Sequence, residues 1–174
     1  MSSVGSIKTL VAMLSAFLTP FGISVAYGEE LIAANDYKLP MVVVVPVGGP
    51  WTQGAYYEAA TQEQNNIWQT QEQIDLYLWS ADVDANGRER DTATPVDHAD
   101  AVENLRARVL QALQDQAPSG LMYRPYAGRW EFAQNEVNRY GRGYVLSVQV
   151  DISVPAIQPT EVTVDEVTIT PEIT

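Results

Sequence analysis

The sequence predicts an α+β fold: a mixed, mostly antiparallel sheet with an N-terminal helix and a central amphipathic helix packed on it. Three observations carry that expectation. Apolar residues recur at helical spacing in two separate stretches, around Leu10 and around Leu105. A run of valines from Val42 and a long alternating stretch around Val148 have the period of strands. The resulting order of helix, strands, helix, strands lacks the regular βαβ alternation of a doubly wound sheet and places both helices on one face.

Ile7, Leu10, Val11, Leu14, Phe17 and Leu18 fall at i, i+3, i+4 spacing and lay one apolar stripe along a helix. The same region has the outline of a secretory signal, with Lys8 before an apolar run and Ser24-Val25-Ala26 after it. The periodicity favours a packing helix, and the run is about half the ~20 residues that a membrane span needs. Ile23 to Tyr27 is expected as a short strand and Glu29 to Asn35 as a short helical turn. Met41 to Val47 is almost pure valine and is closed by Pro46, Gly48 and Gly49, which reads as a strand covered on both faces.

Between Gly48 and Gln73 six glutamines, Asn65 and Asn66 surround Trp51, Tyr56, Tyr57 and Trp68. Polar composition with scattered aromatics reads as a long surface loop, touching a partner or folded over its own core. Ile74, Leu76 and Leu78 then alternate with Asp75, Tyr77 and Trp79 as a strand. Asn86-Gly87 signals a turn. Thr94, Pro95 and Asp97 read as N-cap, first and third residues of a helix that Val102, Leu105, Val109, Ala112 and Leu113 continue and Pro118 with Gly120 stops. Trp130 and Phe132 suggest a strand. The clearest strand has Tyr144, Leu146, Val148, Val150, Ile152 and Val154 on one face.

Residues 1–155 therefore form a single α+β domain, a size that the 174-residue length and 46% hydrophobic content support. Residues 156–174 differ. They carry Glu161, Asp165, Glu166 and Glu172 and no basic residue, and mix Val162, Val164, Val167 and Ile169 with threonines behind Pro155 and Pro159. Such a stretch reads as an acidic, β-prone arm that pairs with a neighbouring chain or with its own sheet edge, the alternative being a mobile tail.

Ten Lys and Arg against 22 Asp and Glu give a net charge of -12, which argues against a nucleic-acid grip by the chain as a whole. With no cysteine, thiolate catalysis, disulfides and Cys-ligated metals are excluded, and His98 is the sole histidine. Asp82-Val83-Asp84-Ala85-Asn86-Gly87 matches half of a calcium loop, but Ala93 stands where a bidentate Glu must close the shell. Gly48, Gly49 and Gly54 lack the Gly-Lys-Ser/Thr of a phosphate cradle. His98, between Asp97 and Asp100, is explained by its place at a helix start. The expectation is a protein with no catalytic, metal or cofactor site. Arg124, Tyr126, Arg129, Trp130, Arg139 and Arg142 form an arginine and aromatic cluster with the composition of a protein interface.

An amphipathic N-terminal helix, Val45-Pro46-Val47-Gly48-Gly49, Leu76-Tyr77-Leu78-Trp79, a central helix, and Tyr140-Gly141-Arg142-Gly143-Tyr144-Val145-Leu146 leading into an alternating strand form one pattern. From about residue 5 to 155 it resembles the tail terminator, or tail completion, proteins of long-tailed bacteriophages. That resemblance implies a structural virion protein, assembled in the host cytoplasm and placed at the junction of tail and neck. It implies a homo-oligomeric ring, a hexamer, that caps the tail tube protein and receives the head-completion or stopper protein. DNA would pass through without specific binding, and no membrane is involved. Asp82, Asp84, Glu89 and Asp91 are candidate acids of the lumen, and Val162, Val164, Val167 and Ile169 the candidate inter-subunit arm. Two rival readings are an exported periplasmic binding protein, from the signal-like start, and a small hydrolase using carboxylates.

Overall fold

The computed structural model describes residues 6–28, 39–58, 63–83, 90, 92–117, 121–131 and 143–155. Helix α1 (Ser6–Leu18) runs into a 3-10 turn (Thr19–Phe21). Gly22 ends the turn at φ 73°, a left-handed conformation that glycine adopts without Cβ strain, with its N–H donating to the Thr19 carbonyl. Strands β1 (Ser24–Tyr27), β2 (Met41–Gly48), β3 (Trp51–Glu58) and β4 (Glu63–Trp79) follow, then helix α2 (Pro95–Asp115) and strands β5 (Arg124–Glu131) and β6 (Gly143–Pro155).

The sheet order is β1-β2-β4-β6-β5, with β3 also on β4. Only β1 and β2 are parallel; every other pairing is antiparallel. This is the expected mixed, mostly antiparallel α+β arrangement. Leu10, Leu14 and Leu18 of α1 and Leu105, Val109, Ala112 and Leu113 of α2 pack on Val42, Val44, Ile74, Leu76, Leu78, Leu146, Val148 and Val150. Each fully buried leucine or isoleucine there contributes about 1.5–3 kcal/mol. Met41, Val43 and Trp79 form a smaller cluster on the opposite face of the sheet, so the valine strand is indeed covered on both sides.

Helix α2 begins as its sequence demands. The Asp97 N–H donates to Thr94 Oγ1 at 3.3 Å while the Thr94 N–H donates to Asp97 Oδ2 at 2.7 Å, a reciprocal capping box. Pro95 fills the first helical position. All five expected apolar positions are buried, and His98 joins them.

The Gln-rich stretch after Gly48 is a correction to the sequence reading. It is a two-stranded ribbon: β3 pairs with the first half of β4 in unbroken register from Trp51↔Thr70 to Glu58↔Glu63. β2 and β3 lie end to end along the same side of β4, separated by an irregularity between Pro46 and Gly48 and by Gly49-Pro50. Glutamine and asparagine at both faces hide the two-residue period, and pairing along a 17-residue β4 overrides their weak strand preference. At Gly49 the backbone passes so close to the Gln71 carbonyl that no Cβ fits. Glu29 to Asn35, the Asn86-Gly87 turn, Phe132 and the arm after Pro155 lie outside the described residues.

Candidate functional site

Strand β5 ends one side of the sheet, pairing with β6 alone among the described residues. Three register rows cross the face opposite the helices: Trp79, Gly143 and Glu131; Tyr77, Val145 and Arg129; Asp75, Ser147 and Ala127. The polar side chains link these rows. Trp79 Nε1 donates to Glu131 Oε2 at 3.3 Å. Ser147 Oγ donates to Asp75 Oδ1 at 2.5 Å, and Arg129 Nη2 lies 3.5 Å from Asp75 Oδ2. Arg124 pairs with Asp151 further along. Tyr126, exposed, occupies the irregularity between Pro125 and Ala127.

The expected arginine and aromatic cluster is therefore divided between two faces. Arg124 and Arg129 lie on the face opposite the helices. Trp130 pairs with Tyr144 in the register and meets it edge to face, at 5.5 Å between centroids, on the helix side. Arg106 of α2 lies over the same Tyr144 ring at 4.8 Å. Gly128 sits beneath Tyr144 so closely that a Cβ there would collide with the ring. Arg139 and Arg142 lie outside the described residues. Alternating acids and arginines give this margin of the sheet a mixed charge, the pattern of a protein contact rather than of a phosphate track.

Of the candidate lumen acids, Asp82 is described; Asp84, Glu89 and Asp91 are outside the described residues. Asp82 is part of a closed local arrangement. Its carboxylate lies 3.6 Å from Arg90 Nε, and its N–H donates to His98 Nδ1 at 2.9 Å. The His98 ring is buried and fastens the chain after β4 to the first turn of α2. The sequence reading missed this role, although His98, Val102, Leu105 and Val109 continue one i, i+4, i+7 stripe that would have revealed it.

Under the helices, Tyr123 OH donates to the Ser6 carbonyl at 2.5 Å and Ser6 Oγ donates to Glu72 Oε2 at 2.8 Å. Burial, with the Glu72 charge adding to it, pushes the Tyr123 phenol up to about 12. The contact with Glu72 places the start of α1 over that row of the sheet. The ribbon continues beyond it, carrying Trp51 and Trp68 at 53% and 42% exposure.

Among the described residues no three His, Cys, Asp or Glu side chains come together as a metal site, and no helix is long and apolar enough to cross a membrane. Comparison with protein-family models and with curated proteins gives no match for this chain.

Proposed function

We propose that this chain is a structural virion protein, a tail terminator that forms a ring on the end of the tail tube and joins it to the head-completion proteins. The observation that carries the reading is where the family-like motifs fall. Val45–Gly48, Leu76–Trp79 and Gly143–Leu146 lie on β2, β4 and β6, three adjacent central strands, with Val42↔Leu78↔Tyr144 in one row. Leu76–Trp79 pairs residue for residue with Gly143–Leu146, while Val45–Gly48 pairs with the part of β4 just before Leu76.

Two physical features support ring assembly. β1 and β5 are the unlike outer strands of the sheet, with no further strand beside either among the described residues. Two dissimilar margins are what a head-to-tail, ring-closing contact needs, whereas a two-fold dimer uses one margin twice. The mixed-charge face of β5 supplies directional ion pairs for such a contact. The partners are further copies of this chain, a tail tube protein on one side and a head-completion or stopper protein on the other. A net charge of -12 per subunit favours a lumen that lets DNA slide without sticking.

The packing of α1 weighs against the exported reading, since Leu10, Leu14 and Leu18 are fully buried in the main core and cleavage after them would strip that core. Native mass spectrometry of the purified full chain tests the proposal. A closed oligomer supports it, and a strict monomer at concentrations well above those of assembly would overturn it.

A further inference from the structure

His98, the chain's one histidine, lies in the first turn of α2 and is only 2% exposed. Its imidazole accepts a backbone hydrogen bond, from the Asp82 N–H to Nδ1 at 2.9 Å. A ring nitrogen that accepts carries no proton, so the contact requires the neutral imidazole with its hydrogen on Nε2. Ser80 and Ala81, just before Asp82, are buried, and so is Val102, one turn further along α2.

The contact closes a circuit of hydrogen bonds. The His98 N–H donates to the Thr94 carbonyl at 3.2 Å, which sets the residue at the capped start of the helix. Next to Thr94, the Ala93 N–H donates to the Arg90 carbonyl at 3.0 Å. Arg90 then returns to the segment after β4: its N–H donates to the Asp82 carbonyl at 3.1 Å and its Nε to the Val83 carbonyl at 3.2 Å. The two ends of the stretch 82–90 are thereby joined, and His98 Nδ1 links the Asp82 end directly to α2.

We infer that His98 is a pH-sensitive latch: as a neutral imidazole it holds the chain at Asp82 against the first turn of α2, and on taking up a proton it lets that chain go. A proton added at Nδ1 turns the acceptor into a donor and sets two N–H groups against each other. The cation so formed is also costly to bury, and the ring gains hydration by parting from Asp82. Charges on both sides shape the response. Asp97 and Asp100 flank His98 in α2, the Asp82 carboxylate and Arg90 stand on the facing segment, and Ser80 and Ala81 carry no charge. Three acids against one arginine favour the cation once the ring is released. The latch is therefore closed above the ordinary histidine range and opens as pH falls through it. This holds apart from the assembly proposed above, since every contact lies within one subunit.

A single histidine makes the test direct. Long-range proton–nitrogen correlation spectra of the nitrogen-15-labelled full chain report one imidazole. At about pH 8 they should show Nε2 protonated and Nδ1 bare, and the reverse tautomer would overturn the inference. As pH falls to about 5, the Asp82 amide signal should move with the same midpoint as the ring, while the amides of Leu76 and Val148 in the core stay in place. An Asp82 amide that ignores the ring's titration, a ring that gains no proton in this range, or loss of the core signals at the same midpoint would each overturn it. His98→Asn gives a second reading, because Oδ1 of asparagine accepts where Nδ1 does and takes up no proton. Hydrogen exchange at Asp82, corrected for its intrinsic rate, should speed up about tenfold across the same range in the parent, the worth of one net hydrogen bond, and stay constant in the variant. Equal acceleration in both would assign the opening to the carboxylates instead and overturn the inference.

Discussion

Ser147 Oγ donates to Asp75 Oδ1 at 2.5 Å, joining β6 to β4 on the sheet face opposite the helices. Ser147 is buried and the Asp75 side chain is 15% exposed, whereas Arg129, the other partner of Asp75, is 59% exposed. Burial decides which contact matters. Ser147→Ala leaves a shielded carboxylate short of a donor and should cost about 1–3 kcal/mol. Arg129→Ala removes a solvent-screened ion pair and should cost about 0–1 kcal/mol. Urea denaturation of the two variants checks the order, and an equal or reversed ranking would show that the arginine anchors this face.

Thr94 and Asp97 make the capping box at the start of α2. Thr94→Ala should cost about 1 kcal/mol, and Thr94→Ser should restore most of it. The hydrogen bonds from the Thr94 backbone and side chain hold the Asp97 carboxyl below the usual aspartate range. The sign follows directly: a depressed folded value adds stability that is present above the ordinary aspartate value and lost as pH falls through the folded one. Asp97→Asn should therefore flatten part of the acid-side decline in a pH series of thermal melts, and an unchanged profile would show that the cap does not contribute to it.

Gly128 lies under the Tyr144 ring, which also meets Trp130 and Arg106. A methyl group at Gly128 must displace that ring from a site closed on two sides. Gly128→Ala should cost about 1–3 kcal/mol, as overpacking does, and weaken the near-ultraviolet circular dichroism of the aromatic pair. Full retention of both signals would mean that Tyr144 has room to move away.

Tyr123 gives an alkaline counterpart. Its phenol is pushed up to about 12 by burial, so the stability it adds is complete below the ordinary tyrosine value of about 10 and is lost as pH rises towards 12. Tyr123→Phe removes the hydrogen bond to the Ser6 carbonyl and should cost about 1 kcal/mol at neutral pH. Above pH 10 the variant should lose stability less steeply than the parent, and parallel curves would mean that other groups govern the alkaline limb.

Legibility in the sequence followed the strength of periodicity. The stripes Leu10, Leu14, Leu18 and Val102, Leu105, Val109, and the alternation through Val148 and Val150, each announce a face that the core buries. The ribbon was hidden because its glutamines and asparagines carry no apolar period, and long-range pairing with β4 sets its structure. The β5 cluster was half legible. Composition grouped Arg124, Arg129 and Trp130, but the face each occupies depends on a register that only the pairing with β6 defines. The partners Asp75 and Ser147, 72 residues apart, leave no local signal at all.

That pairing of cations with acids bears on DNA. Among the described arginines, Arg90, Arg106, Arg124 and Arg129 each lie against a carboxylate, and Arg108 lies over the Phe21 ring at 3.9 Å. A phosphate approaching any of them must compete with an acid already in place or with an aromatic face. The net charge of -12 repels it at longer range. Low salt is the most demanding condition, since the screening length reaches about 30 Å at 0.01 M and electrostatic attraction is then strongest. The full chain should leave the mobility of duplex DNA unchanged even there. Tight binding that salt abolishes would reveal a cationic track instead, with Arg124 and Arg129 as the first positions to neutralise, and would replace the protein-contact reading of β5 by a nucleic-acid one.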